Sequence, residues 1–294
     1  MLGKTASIGS GTFGMDAAEC AAVVTYGVGM QLPAPNATII GRRDFSERVA
    51  LFRIRHDDGD IPAFEPGQFV QIGLALETPA RDGSGAMVQR LQKRSYSIAS
   101  AAHDKHAVEL CLAHVFEGRF TPELWKLREG GRIWLDPRAL GTFTLDRVPP
   151  ERDLVLVATG TGVAPYVSML RTHAEDPRWR RIAIVHGVRD TLDLCFREEL
   201  EAHAKRDPRM FYVPLVSRPA EHPAWSGLTG HVQVALDPRI FGELTGIPLD
   251  PATAHAFLCG NPAMIADVRV QLEARGFVAD TAKQNGGLRL ERYW

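Results

Sequence analysis

The stretch DLVLVATGTGVAP, from Asp153 to Pro165, decides the fold of the second half of this 294-residue chain. Its first six residues are nearly all apolar, as is typical of a strand covered on both faces of a sheet. Small residues follow and lead into the helical pattern APYVSMLRTHA. Such residues let a backbone approach a phosphate closely, and the free amides of a helix's first turn point toward it. The stretch therefore predicts a strand, a pyrophosphate-binding turn and a helix, with a merely tight turn as the alternative.

The same rhythm continues toward the end of the chain. The short apolar runs RIAIVHG, FYVPLV and HAFLCG alternate with helical patterns. Strands that alternate with helices predict a doubly wound parallel sheet, whose ligands lie at the carboxyl ends of the strands. We assign residues 149–294 to this α/β domain. Its glycine loop departs from the G-x-G-x-x-G fingerprint, because Pro165 stands where the third glycine would be.

Two of the predicted strands end in arginines. VHGVR supplies Arg189 and LVSR supplies Arg218 at matching strand ends. Sheets that bind NAD commonly place an acid at this point, whereas a 2′-phosphate requires a cation. Guanidinium groups suit phosphate geometry. The pair favours NADP(H); ordinary solvated arginines, and with them NAD(H), are the alternative.

The first half has a different pattern. VALFRIRH, GQFVQIGLAL, RSYSIAS, AVELCLAHV and GRIWLD are short strand-forming runs separated by Gly, Pro and Asp. They predict a small antiparallel β-barrel over residues 36–148. One helix interrupts them at TPELWKL, with Thr121 as its N-cap, Pro122 at its first position and a stop at Gly130.

Composition excludes several other classes of protein. The net charge is −1, so nothing suggests a nucleic-acid surface, and no apolar run approaches the roughly 20 residues of a membrane helix. Cys20, Cys111, Cys195 and Cys259 are far apart, which argues against a zinc or iron–sulfur site. We expect no metal, a cytoplasmic location and no membrane insertion. Residues 1–35 form an extension of unknown role, which lacks the pattern of a secretory signal.

The run RSYSIAS, Arg94 to Ser100, alternates like a strand yet carries an arginine, a tyrosine and three serines. A strand edge with satisfied hydroxyls is one interpretation. Together with GRFTPEL, ATGTGVAP, VHGVR, LVSR, LCGNPAMI and the terminal ERYW, in this order, it resembles the bacterial ferredoxin (flavodoxin)–NADP reductases. The resemblance covers roughly residues 36–294.

The resemblance implies FAD between the two domains. Arg94 would meet the pyrophosphate, Tyr96 would stack on the flavin, Ser97 would lie near N5, and Trp294 would lie on the adenine. The full set implied at FAD is Arg94, Ser95, Tyr96, Ser97, Cys111, Leu112, Ala113, Arg119, Phe120, Thr121, Thr161, Tyr293 and Trp294.

The NADP(H) site would lie at the strand ends of the second domain. Cys259 would position the nicotinamide, although a buried small hydrophobe is the plain interpretation of this residue. His231 stands where the family often has an arginine, which weakens the NADP preference because histidine is only partly charged at neutral pH. The set is Gly160, Thr161, Gly162, Gly187, Arg189, Ser217, Arg218, His231, Cys259 and Gly260.

The implied activity is hydride transfer between NADP(H) and FAD, with single electrons exchanged with ferredoxin or flavodoxin. The candidate catalytic residues are Tyr96, Ser97, Cys259 and Glu291, the last as a proton or positioning group. We expect a monomer. The alternatives are a flavin reductase or oxygenase-reductase component with the same cofactors and, more distantly, a non-enzymatic flavin or nucleotide sensor.

Overall fold

The computed structural model describes residues 32–292 apart from 60, 62, 81, 174, 175, 177 and 282. Most of the predicted N-terminal extension, together with Tyr293 and Trp294, lies outside the described residues. No helix in the described part of the chain is both long enough and apolar enough to cross a bilayer.

The first half forms an antiparallel sheet of six strands that closes into a barrel-like shape. The strands are β1 Ala37–Asp44, β2 Val49–His56, β3 Phe69–Pro79, β4 Met87–Ser97, β5 Val108–Ala113 and β6 Arg132–Leu135. Their order is β4-β3-β6-β1-β2-β5, and an antiparallel bridge between Ile98 and Leu110 joins the two ends. Inward-facing apolar residues such as Phe52 and Ile72 fill the interior. The predicted barrel is confirmed.

The helix of the first half, α1 Thr121–Trp125, differs from its prediction. It spans 5 residues and ends well before Gly130. Its N-cap is Phe120 rather than Thr121, and no side chain caps it. The Thr121 hydroxyl instead bonds the backbone N–H and C=O of Val115, both at 3.0 Å. Because threonine readily bonds local backbone, it closes the preceding turn here rather than starting the helix.

The second half forms a parallel sheet of seven strands with helices packed against both faces, as predicted. The strands are β7 Asp153–Thr159, β8 Arg181–Val188, β9 Met210–Val216, β10 Leu228–Thr229, β11 Ala254–Gly260, β12 Val278–Ala279 and β13 Gly287–Arg292. The helices are α2 Ala164–His173, α3 Arg197–Arg206, α4 Val232–Ala235, α5 Pro238–Thr245 and α6 Pro262–Glu273.

This sheet has the order β10-β9-β8-β7-β11-β13-β12. Alternate residues of its strands supply two separate cores, with Leu156 on one face and Val155 and Val157 on the other. That two-sided burial explains why the strands read as continuous apolar runs. Strand β13, GLRLER, escaped the sequence analysis because Arg289 and Glu291 interrupt its apolar pattern.

Helix α2 joins the two halves of the molecule. Ser168 Oγ donates to the Ser100 carbonyl at 2.7 Å, and Arg171 Nη1 donates to the Ala99 carbonyl at 3.0 Å and to Glu109 at 2.6 Å. Thr172 accepts from the Ala102 amide at 3.0 Å. One face of the helix that follows the glycine loop therefore binds the segment that follows Ser97. The predicted boundary at residues 148/149 falls between the two sheets and stays a prediction.

Candidate functional site

The glycine loop is built by close approach of two backbones. After β7 the chain makes a 3-10 turn over Gly160–Val163, with Gly160 at φ 54°. A Cβ at Gly162 would overlap the Cys259 carbonyl, and one at Gly260, which has φ 135°, would overlap Thr159 Oγ1. The ends of β7 and β11 therefore meet as a narrow cradle that side chains would fill. Small residues are required here for packing, as well as for any ligand.

Strand β4 carries Arg94 and Tyr96 on one face, because side chains two apart on a strand share a side. Tyr96 is half-buried against the barrel core, and burial raises the pKa of its phenol. The Arg94 guanidinium lies 5.7 Å from the Phe120 ring centre. The structure thus brings RSYS beside GRFT, as one ligand spanning both motifs would require.

The turn before GRFT contains buried groups without partners. Both ring nitrogens of His114 are buried and unbonded within the described residues, and the ring stacks on Trp125 at 4.7 Å. An unpaired buried polar atom is costly, so such atoms commonly mark a place where a further group binds. Arg119 is exposed in the same turn.

Ser97, Cys259 and Glu291 come together where the barrel meets the parallel sheet. Ser97 Oγ donates to Glu291 Oε2 at 3.0 Å, and Cys259 Sγ lies 3.7 Å from the same oxygen. Cys259 and Glu291 are register partners on β11 and β13. Burial raises the pKa of Glu291 to about 7, while the contacts from Ser97 and Cys259 oppose that rise. The carboxyl can therefore both hold and release a proton near neutral pH.

Three candidate phosphate-binding side chains lie along one edge of the parallel sheet. Val188 and Val216 are register partners, so Arg189 and Arg218 follow adjacent strand ends. The backbone N–H of Arg218 donates to the Arg189 carbonyl at 3.2 Å, which continues the pairing. His231 follows the short strand β10 beside β9. All three side chains are exposed.

Proteins of similar sequence identify the family of this chain. Residues 156–270 match the family model described as an oxidoreductase NAD-binding domain. Ferredoxin–NADP reductase B of Sorangium cellulosum is 36% identical over 236 residues, covering 79% of this chain and 88% of that relative. Reductase A of the same organism is 32% identical, covering 82% and 84%. The chain belongs to the ferredoxin–NADP reductase family.

Solved structures of the family and its neighbours share the fold. A Neisseria gonorrhoeae ferredoxin NADP+ reductase with bound FAD and NADP aligns at TM-score 0.75 and 25% identity, over 88% of this chain and 98% of that one. The Amycolatopsis cytochrome P450 reductase GcoB aligns at TM-score 0.68 and 25% identity, over 89% and 70%.

The surroundings of three further residues of the predicted set are as follows. Leu112 is fully buried in the barrel core, so only its backbone can line a ligand. Cys111 faces the other way, into the apolar core that the two halves share, where it contacts Cys195, and burial raises the pKa of the Cys111 thiol. The position of Gly187 requires a glycine, because a Cβ there would crowd the side chain of Val232.

Two residues of the glycine-loop region were missed. His186 is fully buried beneath the loop, with Nε2 2.9 Å from the Gly160 carbonyl and Nδ1 3.1 Å from the Tyr212 hydroxyl. Burial lowers its pKa to about 4, so the ring is neutral at pH 7. Thr159 Oγ1 accepts from the Asn261 amide at 2.9 Å. The sequence does carry one sign of His186, because it places a histidine inside the otherwise apolar run RIAIVHG.

Proposed function

We propose that this chain is an FAD-dependent ferredoxin/flavodoxin–NADP reductase. The observation that carries the proposal is the group of Ser97, Cys259 and Glu291 at the junction of the two sheets, between Tyr96 and the glycine cradle. Hydride transfer needs two rings aligned at a site that excludes water, and this junction joins a candidate flavin surface to a candidate nucleotide surface.

The first half, residues 36–148, offers groups that fit a flavin dinucleotide. Arg94 and Arg119 supply positive charge, Tyr96 supplies an aromatic face, and the unpaired nitrogens of His114 lie in the turn between β5 and α1. Phe120 and Thr121 shape the turn, and the backbone of Cys111–Ala113 lies on the neighbouring strand. Stacking by Tyr293 and Trp294 stays a prediction.

The second half, residues 149–294, offers groups that fit NADP(H). The cradle consists of Gly160, Thr161, Gly162 and Gly260. Gly162 and Gly260 let the ends of β7 and β11 pack closely, while the space beside Gly160 is open to a ligand. Ser217 and the exposed side chains of Arg189, Arg218 and His231 supply donors for a 2′-phosphate. Cys259 lies at the inner end of this site.

Bound FAD would accept two electrons from a nicotinamide and pass them on singly. The chain's own residues would orient the reacting rings and hold a proton beside them. Ser97 donates its hydroxyl hydrogen to Glu291 and so fixes the carboxyl, which exchanges a proton at Oε1 or Oε2. Cys259 packs against the same carboxyl and sets how closely a planar ring can approach β11.

The experiment is an anaerobic titration of the purified flavoprotein with NADPH and then NADH. We expect bleaching at about 450 nm with NADPH at lower concentration. Steady-state rates with ferredoxin, flavodoxin and free flavins follow. Saturation by the carrier proteins supports the proposal, whereas no bleaching would leave a sensor role.

A flavin reductase or oxygenase-reductase component is the second candidate, favoured by the likeness to the Amycolatopsis cytochrome P450 reductase. Saturation by small acceptors alone would identify it. We further propose a cytoplasmic monomer. Its electron carrier would be a separate protein, because the three described cysteines are too dispersed to hold an iron–sulfur cluster.

A further inference from the structure

The loop from 219 to 227 folds back onto the segment that follows Arg189. Trp225 packs against the small apolar cluster of Val188, Leu194 and Val216. Its indole N–H donates to the Leu228 carbonyl at 2.9 Å, and the Arg197 guanidinium lies 5.2 Å from its ring centre. The loop is therefore held in place beside the candidate 2′-phosphate site.

His222 connects this loop to the segment that follows Arg189. Its Nε2 lies 2.9 Å from Asp190 Oδ2, and its Nδ1 lies 3.1 Å from Thr191 Oγ1. The other oxygen of Asp190, Oδ1, accepts from the Leu192 amide at 2.8 Å. The two oxygens of the Asp190 carboxylate thus lie against the His222 ring and the Leu192 amide.

Asp190 occupies an awkward place for a phosphate site. It follows Arg189 directly, and continuation of the register beyond Val188 and Val216 places its backbone beside Arg218. A free carboxylate here would neutralise the arginines or repel a phosphate. In the described ranges neither Arg189 nor Arg218 has an ion-pair partner.

We propose that His222 is a specificity-determining positioning residue, which holds the Asp190 carboxylate away from Arg189 and Arg218 and so reserves their positive charge for the 2′-phosphate of NADP(H). This inference rests on the proposed function. It gives a function to the loop from 219 to 227, which the phosphate-binding motifs do not explain.

A divalent cation is the competing use of these groups. Ligand atoms of Asp190, Glu221 and His222 lie within 4.8 Å of one another. However, His222 Nε2 already lies 2.9 Å from Asp190 Oδ2, and the exposed side chains of Arg189 and Arg218 flank the cluster. The two arginines disfavour added positive charge, so the direct contact between His222 and Asp190 is the better account.

The test compares NADPH with NADH as reductant, using kcat/KM for ferricyanide reduction by the holoenzyme at pH 7. His222→Asn keeps a group near Thr191 but cannot reach Asp190, whereas His222→Gln can still donate to it. We expect the NADPH preference to fall roughly fivefold in His222→Asn and much less in His222→Gln. The matched control is His103→Asn, an exposed histidine in the first half.

The double variant His222→Asn/Asp190→Asn separates charge from structure. We expect it to regain the wild-type preference, because the carboxylate that His222 restrains is gone. The single-variant loss should also shrink with added salt. Loss that persists in the double variant, or a preference that EDTA removes and Zn²⁺ restores, would overturn the inference.

Failure of the inference is distinguishable from failure of the proposed function. If neither nucleotide reduces the flavin, the proposed function fails. If the wild type reduces its flavin but has equal kcat/KM for both nucleotides, or if His222→Asn keeps the full NADPH preference, only the role of His222 is wrong.

Discussion

Ser97 Oγ and Glu291 Oε2 lie 3.0 Å apart although 194 positions separate the two residues in the chain. Ser97 ends a strand of the barrel and Glu291 lies on β13 of the parallel sheet. The contact exists because α2 binds Ala99, Ser100 and Ala102, the segment just past Ser97. The relative placement of the two halves therefore sets the candidate site.

Glu291→Gln should change the pH dependence of flavin reduction. Burial raises the pKa of Glu291 to about 7, so the wild-type rate of reduction by NADPH should show an inflection near pH 7. The glutamine variant keeps the shape but cannot titrate, and its rate should lack that inflection. Stopped-flow absorbance measures the rate of flavin reduction over a range of about 3 pH units around this pKa, from about pH 5.5 to about pH 8.5.

The same variant should alter stability in a defined direction. A carboxyl whose pKa is raised in the folded protein contributes stability that is fully present below its unfolded pKa and is lost as pH rises through about 7. Relative to Glu291→Gln, the wild type should thus lose stability as pH rises from about 4.5 to about 7, the span between the ordinary and the raised pKa of this carboxyl. Urea unfolding of both proteins measures it, and parallel curves would show that Glu291 does not titrate there.

Tyr96→Ala should impair flavin retention or turnover while the fold stays intact. The ring is only half-buried at the edge of the barrel core, so its removal leaves most of the core packing in place. The ratio of flavin absorbance to protein absorbance measures flavin retention, and far-ultraviolet circular dichroism measures whether the fold is intact. Tyr96→Phe is the control and should keep flavin, since the aromatic face remains.

Gly162→Ala should destabilise the protein and weaken nucleotide binding, because the added methyl group would overlap the Cys259 carbonyl. We expect a loss of about 1–3 kcal/mol, as for overpacked sites. Gly242→Ala on α5 is the matched control. Beyond the backbone of its own helix, no heavy atom lies within 4 Å of the new Cβ, and helix propensity should add about 0.5–1 kcal/mol of stability. Equal denaturation midpoints for the two variants would contradict the cradle.

Arg289→Met should destabilise strongly, because Arg289 is buried and holds together the C-terminal strand and the segment between the sheets. Its Nε donates to Asp280 at 2.9 Å, and its Nη1 contacts Asp146 at 3.1 Å and the Thr144 carbonyl. Removing one partner of a buried ion pair costs about 3–5 kcal/mol. The exposed control Arg239→Met, which loses only an i,i+4 pair with Glu243, should cost less than about 0.5 kcal/mol.

This effect should depend on pH. Burial raises the pKa of Asp280, but hydrogen bonds from Arg289 and the Gly286 amide outweigh burial, and the net pKa is lowered. The linked stability is present above the unfolded pKa of an aspartate and is lost as pH falls through the folded value. The gap between wild type and Arg289→Met should therefore narrow below about pH 4.

His231→Arg should strengthen NADP(H) binding more than NAD(H) binding. Arginine is always charged and can bind a phosphate through two donors at once. Fluorescence titration with NADP+ and NAD+ measures this, and equal affinities of the wild type and the variant for NADP+ would show that position 231 does not contact the 2′-phosphate.

Much of the fold could be predicted from the sequence, because the burial of a strand on one or two faces produces a characteristic local pattern of apolar residues. The two-sided strands of the second half are continuous apolar runs, whereas the barrel strands are short and punctuated. Strand β13 was missed, since the charges of Arg289 and Glu291 are acceptable only once Asp280 and Ser97 are in place. The prediction that Thr121 caps the helix was wrong, because its hydroxyl bonds the backbone of Val115 in the preceding turn.

By itself the sequence determined the change from barrel strands to alternating strands and helices, the glycine loop and the arginines at the ends of β8 and β9, because each is a local feature of spacing and residue type. Only the tertiary structure decided which distant groups meet. Register between β11 and β13 puts Glu291 beside Cys259, α2 brings Ser97 to both, and a folded loop places His222 on Asp190. Such contacts depend on the packing of whole elements, which no short stretch of sequence encodes.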